Sequence, residues 1–181
     1  MNGWPGERSL HGGADEIPLP VGPGRLWLCG KHFVGPDPEA ALLRVGAGGV
    51  VCLNEAAELA GRYPDYVAWL AANRPGRVVW HPVADLHAPG LEEALGLLAD
   101  MTGRLVVGQS LLVHCGAGIG RAGTVAAGLL VTLGLGVDEA VATVGAHRPM
   151  AGPEVGAQTA LLAALAARVA AGTGPDPGAV R

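Results

Sequence analysis

Along this chain, short apolar runs bounded by glycine and proline alternate with longer stretches whose apolar positions recur every three or four residues. The runs Arg25–Gly30, Gly49–Leu53, Arg77–Pro82 and Ser110–His114 are too brief for helices and rich in Val and Leu, which predicts buried strands. Between and after them the spacing predicts helices over Pro38–Val45, Gly90–Val107, Gly123–Leu133, Val137–Ala146 and Pro153–Ala171, with one or two more in Glu55–Asn73, broken near Pro64. Asp37 followed by Pro38 marks a helix start. In Gly90–Val107, the residues Leu91, Leu95, Leu98, Thr102 and Leu105 are spaced to face a core. Strands and helices in alternation predict an α/β fold with a central, mostly parallel sheet flanked by helices. Such sheets bind ligands beyond the carboxyl ends of their strands.

The ends differ from the middle. Residues 1–24 carry Pro5, Pro18, Pro20 and Pro23 among many glycines, a composition that resists regular structure, so they are expected to form an N-terminal arm. Residues 25–171 are read as one domain and 172–181 as a frayed tail. At 181 residues and 50% apolar, the chain is long enough for one core and short for two. Aromatics are scarce, so Val, Leu and Ala must fill that core around Trp27, Trp69 and Trp80.

Charge narrows the partners. The formal net charge is −4, Lys31 is the single lysine, and no basic run occurs, which argues against nucleic acid. The most apolar stretch, Val125–Leu135, is interrupted by glycines and reads as a core helix rather than a membrane span. The N-terminus lacks a signal pattern, so a cytoplasmic protein is expected, with no membrane partner; a monomer is expected as well. The cysteines at 29, 52 and 115 have no metal-ligand spacing and leave one over in any pairing, which fits reduced thiols. No metal and no cofactor is expected.

Chemistry concentrates in His114-Cys115-Gly116-Ala117-Gly118-Ile119-Gly120-Arg121, where a cysteine and an arginine stand six positions apart across a loop almost devoid of side chains. Placed between a strand and a helix, the backbone N–H groups of Gly116, Ala117, Gly118, Ile119 and Gly120 can converge on one concavity, joined by the positive end of the helix. A phosphate fits such a cradle. Arg121 can hold two of its oxygens with a planar fork, and the same donors should stabilise a thiolate on Cys115.

This stretch resembles the His-Cys-x5-Arg signature of the cysteine-dependent protein tyrosine phosphatases, closest to the compact dual-specificity branch. Upstream, Asp85 in His81-Pro82-Val83-Ala84-Asp85-Leu86-His87-Ala88-Pro89 is similar to that family's aspartate loop, which implies that Asp85 is the general acid. Downstream, His147-Arg148-Pro149 and Gln158 resemble the family's Arg-Pro stretch and later glutamine. The likeness spans about residues 25 to 170. It implies a single phosphatase domain hydrolysing phosphotyrosine, and phosphoserine or phosphothreonine, in proteins through a phosphocysteine intermediate. The substrate would be a phosphorylated protein or a small phosphomonoester. Supporting roles fall to His114 as a brace for the loop backbone, to Arg148 as a guide for the phosphorylated partner or a helix C-terminal cation, and to Gln158 as a holder of the hydrolytic water. One position departs from the family: the Ser or Thr after the arginine is replaced by Ala122. Its missing hydroxyl predicts a slow second step, with Thr124 as the nearest substitute.

Other readings stand beside this one. Cys115 fits a core thiol, but an inert thiol gives no reason for the glycines and arginine that follow it; Arg121 fits a surface ion pair, against which its offset from the cysteine speaks; and Asp85 fits a turn or capping residue, against which the family resemblance and its place at a strand end speak. Gly118-Ile119-Gly120-Arg121-Ala122-Gly123 satisfies the dinucleotide G-x-G-x-x-G pattern, yet it lacks a following strand ending in an acidic residue. His81 and His87 flank Asp85 without further ligands at metal spacing. Cys52 is expected to pack in the core, with a disulfide to oxidised Cys115 as a further hypothesis. A catalytically weak phosphate-binding module, and a thiol enzyme such as a sulfurtransferase or arsenate reductase, would use the same cradle.

Overall fold

The structure, a computed structural model, describes residues 5–172. Its centre is a five-stranded sheet in the order β1-β2-β5-β3-β4, formed by β1 (Ala14–Ile17), β2 (Leu26–Gly30), β3 (Gly49–Cys52), β4 (Val78–Trp80) and β5 (Leu111–Cys115). Strands β2 to β5 run parallel, and β1 pairs antiparallel with β2. The helices are α1 (Pro5–His11), α2 (Lys31–Val34), α3 (Pro38–Val45), α4 (Ala56–Ala60), α5 (Pro64–Ala72), α6 (Leu91–Val106), α7 (Gly120–Thr132), α8 (Val137–His147) and α9 (Gly156–Ala170).

The expected arm contains a helix and the edge strand β1, whose residues Ala14, Asp15, Glu16 and Ile17 lie opposite Cys29, Leu28, Trp27 and Leu26. Its charged residues conceal it from an apolar-run criterion, since an edge strand shows only part of itself to the core. On α6 the buried residues are Ala94, Leu97, Leu98, Met101 and Leu105, so the core stripe is rotated from the expected one, and Leu91 and Leu95 lie at its margin. The tail beyond Gly172 lies outside the described residues.

Alternation along the strands divides the interior into two layers. Leu111, Val113 and Cys115 of β5 join one cluster with α6, α7, α8 and α9, while Leu112 joins the other with Phe33, Leu42, Tyr66 and Leu70. Strand β5 is buried at every position, as expected for a central parallel strand covered on both faces. All residues of α7 are buried as well. Burial of Leu129, Leu130 and Val131 there contributes about 1.5–3 kcal/mol each, which anchors the helix that follows the cysteine loop. The carboxyl ends of β2, β3 and β5 lie side by side, because Gly30 pairs with Cys115 and Cys52 with His114.

Candidate active site

Residues 116–119 carry the chain from β5 into α7. Every carbonyl of this loop is held from outside. Gly116 O accepts from the Lys31 amide (3.0 Å), Ala117 O from Arg148 Nη2 (2.8 Å), Gly118 O from Arg148 Nε (2.8 Å), and Ile119 O from the Gly123 (2.8 Å) and Gly152 (3.3 Å) amides. With the carbonyls directed outward, the loop N–H groups face the opposite way. The amides of residues 116–119 donate no hydrogen bond among the described residues. Together with the free donors of the first turn of α7 they form a concave, electropositive lining.

Glycine is required where the loop crosses β2. Gly118 has φ of 74°, and a Cβ there would run into the carbonyl oxygen of Cys29. Gly116 and Gly120 do not adopt positive φ; a side chain at Gly120 would collide with the Glu154 carboxylate.

Cys115 lies on the floor of a cavity of about 300 Å3, which Arg121, Asp85, Leu86, Glu58, Glu154 and Lys31 also line. Arg121 is nearly fully buried, and its Nη1 and Nη2 donate to Glu58 Oε2 (2.7 Å) and Oε1 (2.8 Å). Nη1 donates in addition to Val83 O (2.8 Å), and Nη2 lies 3.2 Å from Asp85 Oδ1. Asp85 is largely exposed at the mouth. The segment before it is laid along β3, with the His81 amide donating to Cys52 O and the Val83 amide to Leu53 O.

Glu58 escaped the sequence reading. Burial pushes its carboxyl up, but hydrogen bonds from Arg121, the Glu55 backbone and Asn54 outweigh this and hold its pKa at about 2. It stands at the third position of α4 and accepts from the Glu55 amide, so on its own it reads as a helix cap. The one available signal was its place just after β3, at the same sheet edge as the cysteine loop.

Gln158 and Thr124 take different places from those expected, while His114 and Arg148 hold the loop. His114 is fully buried with Nε2 2.7 Å from Tyr66 Oη on α5, and burial, partly offset by a backbone hydrogen bond at Cys115, lowers its pKa to about 4, so the ring is neutral. Arg148 is the C-cap residue of α8, one of its two expected places, and its guanidinium braces the two loop carbonyls and pairs through Nη1 with Asp15 Oδ2 (2.7 Å). Its outer edge lines a neighbouring cavity of about 430 Å3 with Arg8, His11 and His32. Gln158 is buried and lies outside the Cys115 cavity; its Oε1 accepts from the Glu154 amide (2.7 Å) and its Nε2 donates to His87 O (3.1 Å). Thr124 faces a crevice with Ala94, Leu97 and Leu165 rather than the Cys115 cavity, so it does not replace the hydroxyl missing at Ala122, which is itself fully buried.

Cys29 and Cys52 pair in register with His114, which places their side chains on the sheet face opposite that of Cys115. Burial pushes both thiols up, Cys52 to about 12. Among the described residues no group of three or more His, Cys, Asp or Glu side chains is placed to hold a metal, and no helix is long and apolar enough to cross a membrane.

Residues 21–169 match the family model PTP-SAK, described as Swiss Army Knife protein, DSP-PTPase phosphatase domain. A comparison with curated proteins finds no match. Among solved structures, the chain is similar to Tk-PTP in a mutant form, at 30% identity over 82% of this chain and 93% of that one, with a TM-score of 0.67. It is also similar in fold to kinase associated phosphatase (21% identity, 88% of this chain and 96% of that one, TM-score 0.73) and to human DUSP28 (21%, 81% and 94%, TM-score 0.62). The outward-turned carbonyls, the cysteine beneath them and the family match over most of the chain converge: the protein belongs to the PTP-SAK family of dual-specificity phosphatase domains, within the cysteine phosphatase superfamily.

Proposed function

We propose that this protein hydrolyses phosphomonoesters, phosphotyrosine and phosphoserine or phosphothreonine in proteins among them, through a phosphocysteine intermediate and without a metal. The observation that carries this reading is the set of loop amides that donate no hydrogen bond among the described residues, on residues that share one cavity with Cys115, Arg121 and Asp85. In the first half-reaction the Cys115 thiolate attacks phosphorus in line with the ester oxygen. The loop amides and Arg121 hold the three remaining oxygens, whose charge they stabilise throughout. An arriving phosphate competes with Asp85 for Arg121 Nη2, freeing the Asp85 carboxyl to protonate the leaving oxygen. In the second, water attacks phosphocysteine, Asp85 accepts its proton and the thiolate is restored.

Turnover of an aryl phosphate tests this reading. Hydrolysis should be blocked by vanadate, indifferent to EDTA and abolished in Cys115→Ser, while that variant still binds tungstate. Metal-free hydrolysis by the serine variant, or no hydrolysis by the native protein, overturns it. Ala122 favours a second reading, a phosphate-binding module without turnover, and the same assay separates the two. The placement of Cys29 and Cys52 on the far sheet face weighs against an arsenate-reductase type of enzyme, which needs a resolving thiol beside the first.

A further inference from the structure

A phosphocysteine turns over only if water is held in line with the P–S bond, and the residue expected to hold it, Gln158, is engaged elsewhere. Its amide joins the Glu154 backbone to His87 O and does not line the Cys115 cavity. The turn it fixes carries Glu154 instead into that cavity, where the Glu154 carboxylate lies against Gly120, the first residue of α7. Among the described residues no hydrogen bond or ion pair engages this carboxylate. Asp85 lines the same space. A carboxylate facing an anion cradle in addition to Asp85 and the Arg121-paired Glu58 works against substrate binding, since like charges a few ångströms apart repel. Its presence is explained by a task that begins once the leaving group has departed.

On the phosphatase reading given above, we propose that Glu154 is a catalytic residue of the hydrolytic half-reaction, accepting a hydrogen bond from the attacking water while Asp85 accepts its proton. The water oxygen forms the new bond to phosphorus as the S–P bond breaks, and that electron pair returns to Cys115 as thiolate. One water proton passes to Asp85, which gave up its own to the leaving oxygen in the first half. The other stays on the oxygen, pointed at Glu154, and leaves with the phosphate. With Ala122 offering no hydroxyl to the departing sulfur and Thr124 turned away, orientation of the water carries more of this step.

Rapid-quench kinetics with an aryl phosphate, run with and without methanol as a competing acceptor, test the assignment. Glu154→Ala should form phosphocysteine at the native rate within about twofold and hydrolyse it about ten- to a hundredfold more slowly, the range for loss of one charge-assisted hydrogen bond. Its KM should fall together with kcat. Methanol has a single hydroxyl proton, which goes to Asp85, so methanolysis does not need Glu154; the ratio of methyl phosphate to inorganic phosphate should rise by the same factor. Glu154→Gln, which keeps an acceptor oxygen, should recover most of the native ratio. An unchanged product ratio in Glu154→Ala, or equal slowing of both half-reactions, overturns the proposal. Absence of any Cys115-dependent phenol release from the native protein instead overturns the phosphatase reading on which it rests.

Discussion

Glu58 and Arg121 meet at two points, Oε2 to Nη1 at 2.7 Å and Oε1 to Nη2 at 2.8 Å, with the arginine almost wholly out of water. A lone guanidinium buried there would be costly, and a flexible one would hold phosphate poorly.

Glu58→Gln should therefore lower kcat/KM by about tenfold or more and cost about 1–3 kcal/mol of stability. The sign with pH follows from the depressed carboxyl: its contribution is complete above the unfolded value of about 4.3. It is lost as pH falls through about 2. Urea unfolding should give a constant gap between native and variant proteins near neutrality, narrowing only in that acid window. A gap that closes near pH 6 would contradict the pairing.

Asp85 is exposed and tied to the fold by little beyond its contact with Arg121. Asp85→Ala should leave thermal stability nearly unchanged, within about 0.5 kcal/mol, and slow hydrolysis of an alkyl phosphate about 10²–10⁴-fold. An aryl phosphate with an acidic leaving group should be affected much less. Equal losses on both substrates would remove Asp85 from the proton-transfer role.

His114 should remain neutral through the physiological range. Its depressed pKa means that the unfolded chain binds the proton first, so its protonation destabilises the fold progressively as pH falls from about 6.5 to about 4. Imidazole resonances followed by NMR should show one ring that does not titrate above pH 5. Tyr66→Phe should cost about 0.5–1.5 kcal/mol by removing its partner. A ring titrating near 6.5 would contradict the burial argument.

Alkylation should distinguish the thiols by sheet face. Iodoacetamide at neutral pH should label Cys115, which opens onto a cavity, and leave Cys29 and Cys52 unlabelled until the protein unfolds. Peroxide should give no Cys52–Cys115 disulfide in the folded protein. Mass mapping of that cross-link would require the strands to leave their register.

Arg148→Lys replaces a fork that spans two carbonyls and a carboxylate with a single ammonium. A loss of about 1–3 kcal/mol in stability is expected, as for a buried acceptor left without its donor, together with weakened tungstate binding. Normal binding in a folded lysine variant would show that the loop carbonyls hold their orientation unaided.

Apolar runs and helix spacing were enough to read β2 to β5 and the larger helices, because buried parallel strands and amphipathic helices write their environment into composition. Asp37 caps α3 as expected, its Oδ1 accepting from the Ala40 amide. The cysteine, the arginine and the glycines between them were legible for a similar reason: a backbone cradle has little chemistry except at its ends. What stayed hidden depends on residues remote in sequence. Glu58 resembles any acidic residue near a helix start until the sheet sets it beside Arg121. Gln158 and Glu154 are four positions apart, and which of them faces the cavity is decided by a turn whose hydrogen bonds run to His87 and to Gln158 itself. Strand β1 is short and charged, so its identity comes from the partner it lies against.

That strand has a consequence at the far end of the chain. Asp15 pairs with Arg148 across 133 residues of sequence, and Arg148 in turn holds Ala117 and Gly118 in shape. The edge of the sheet thus acts as a guy-rope for the oxyanion seat. A protease that severed the link between Ile17 and Leu26, or a binder that peeled the edge away, would slacken the seat and silence the sulfur without ever entering the cleft.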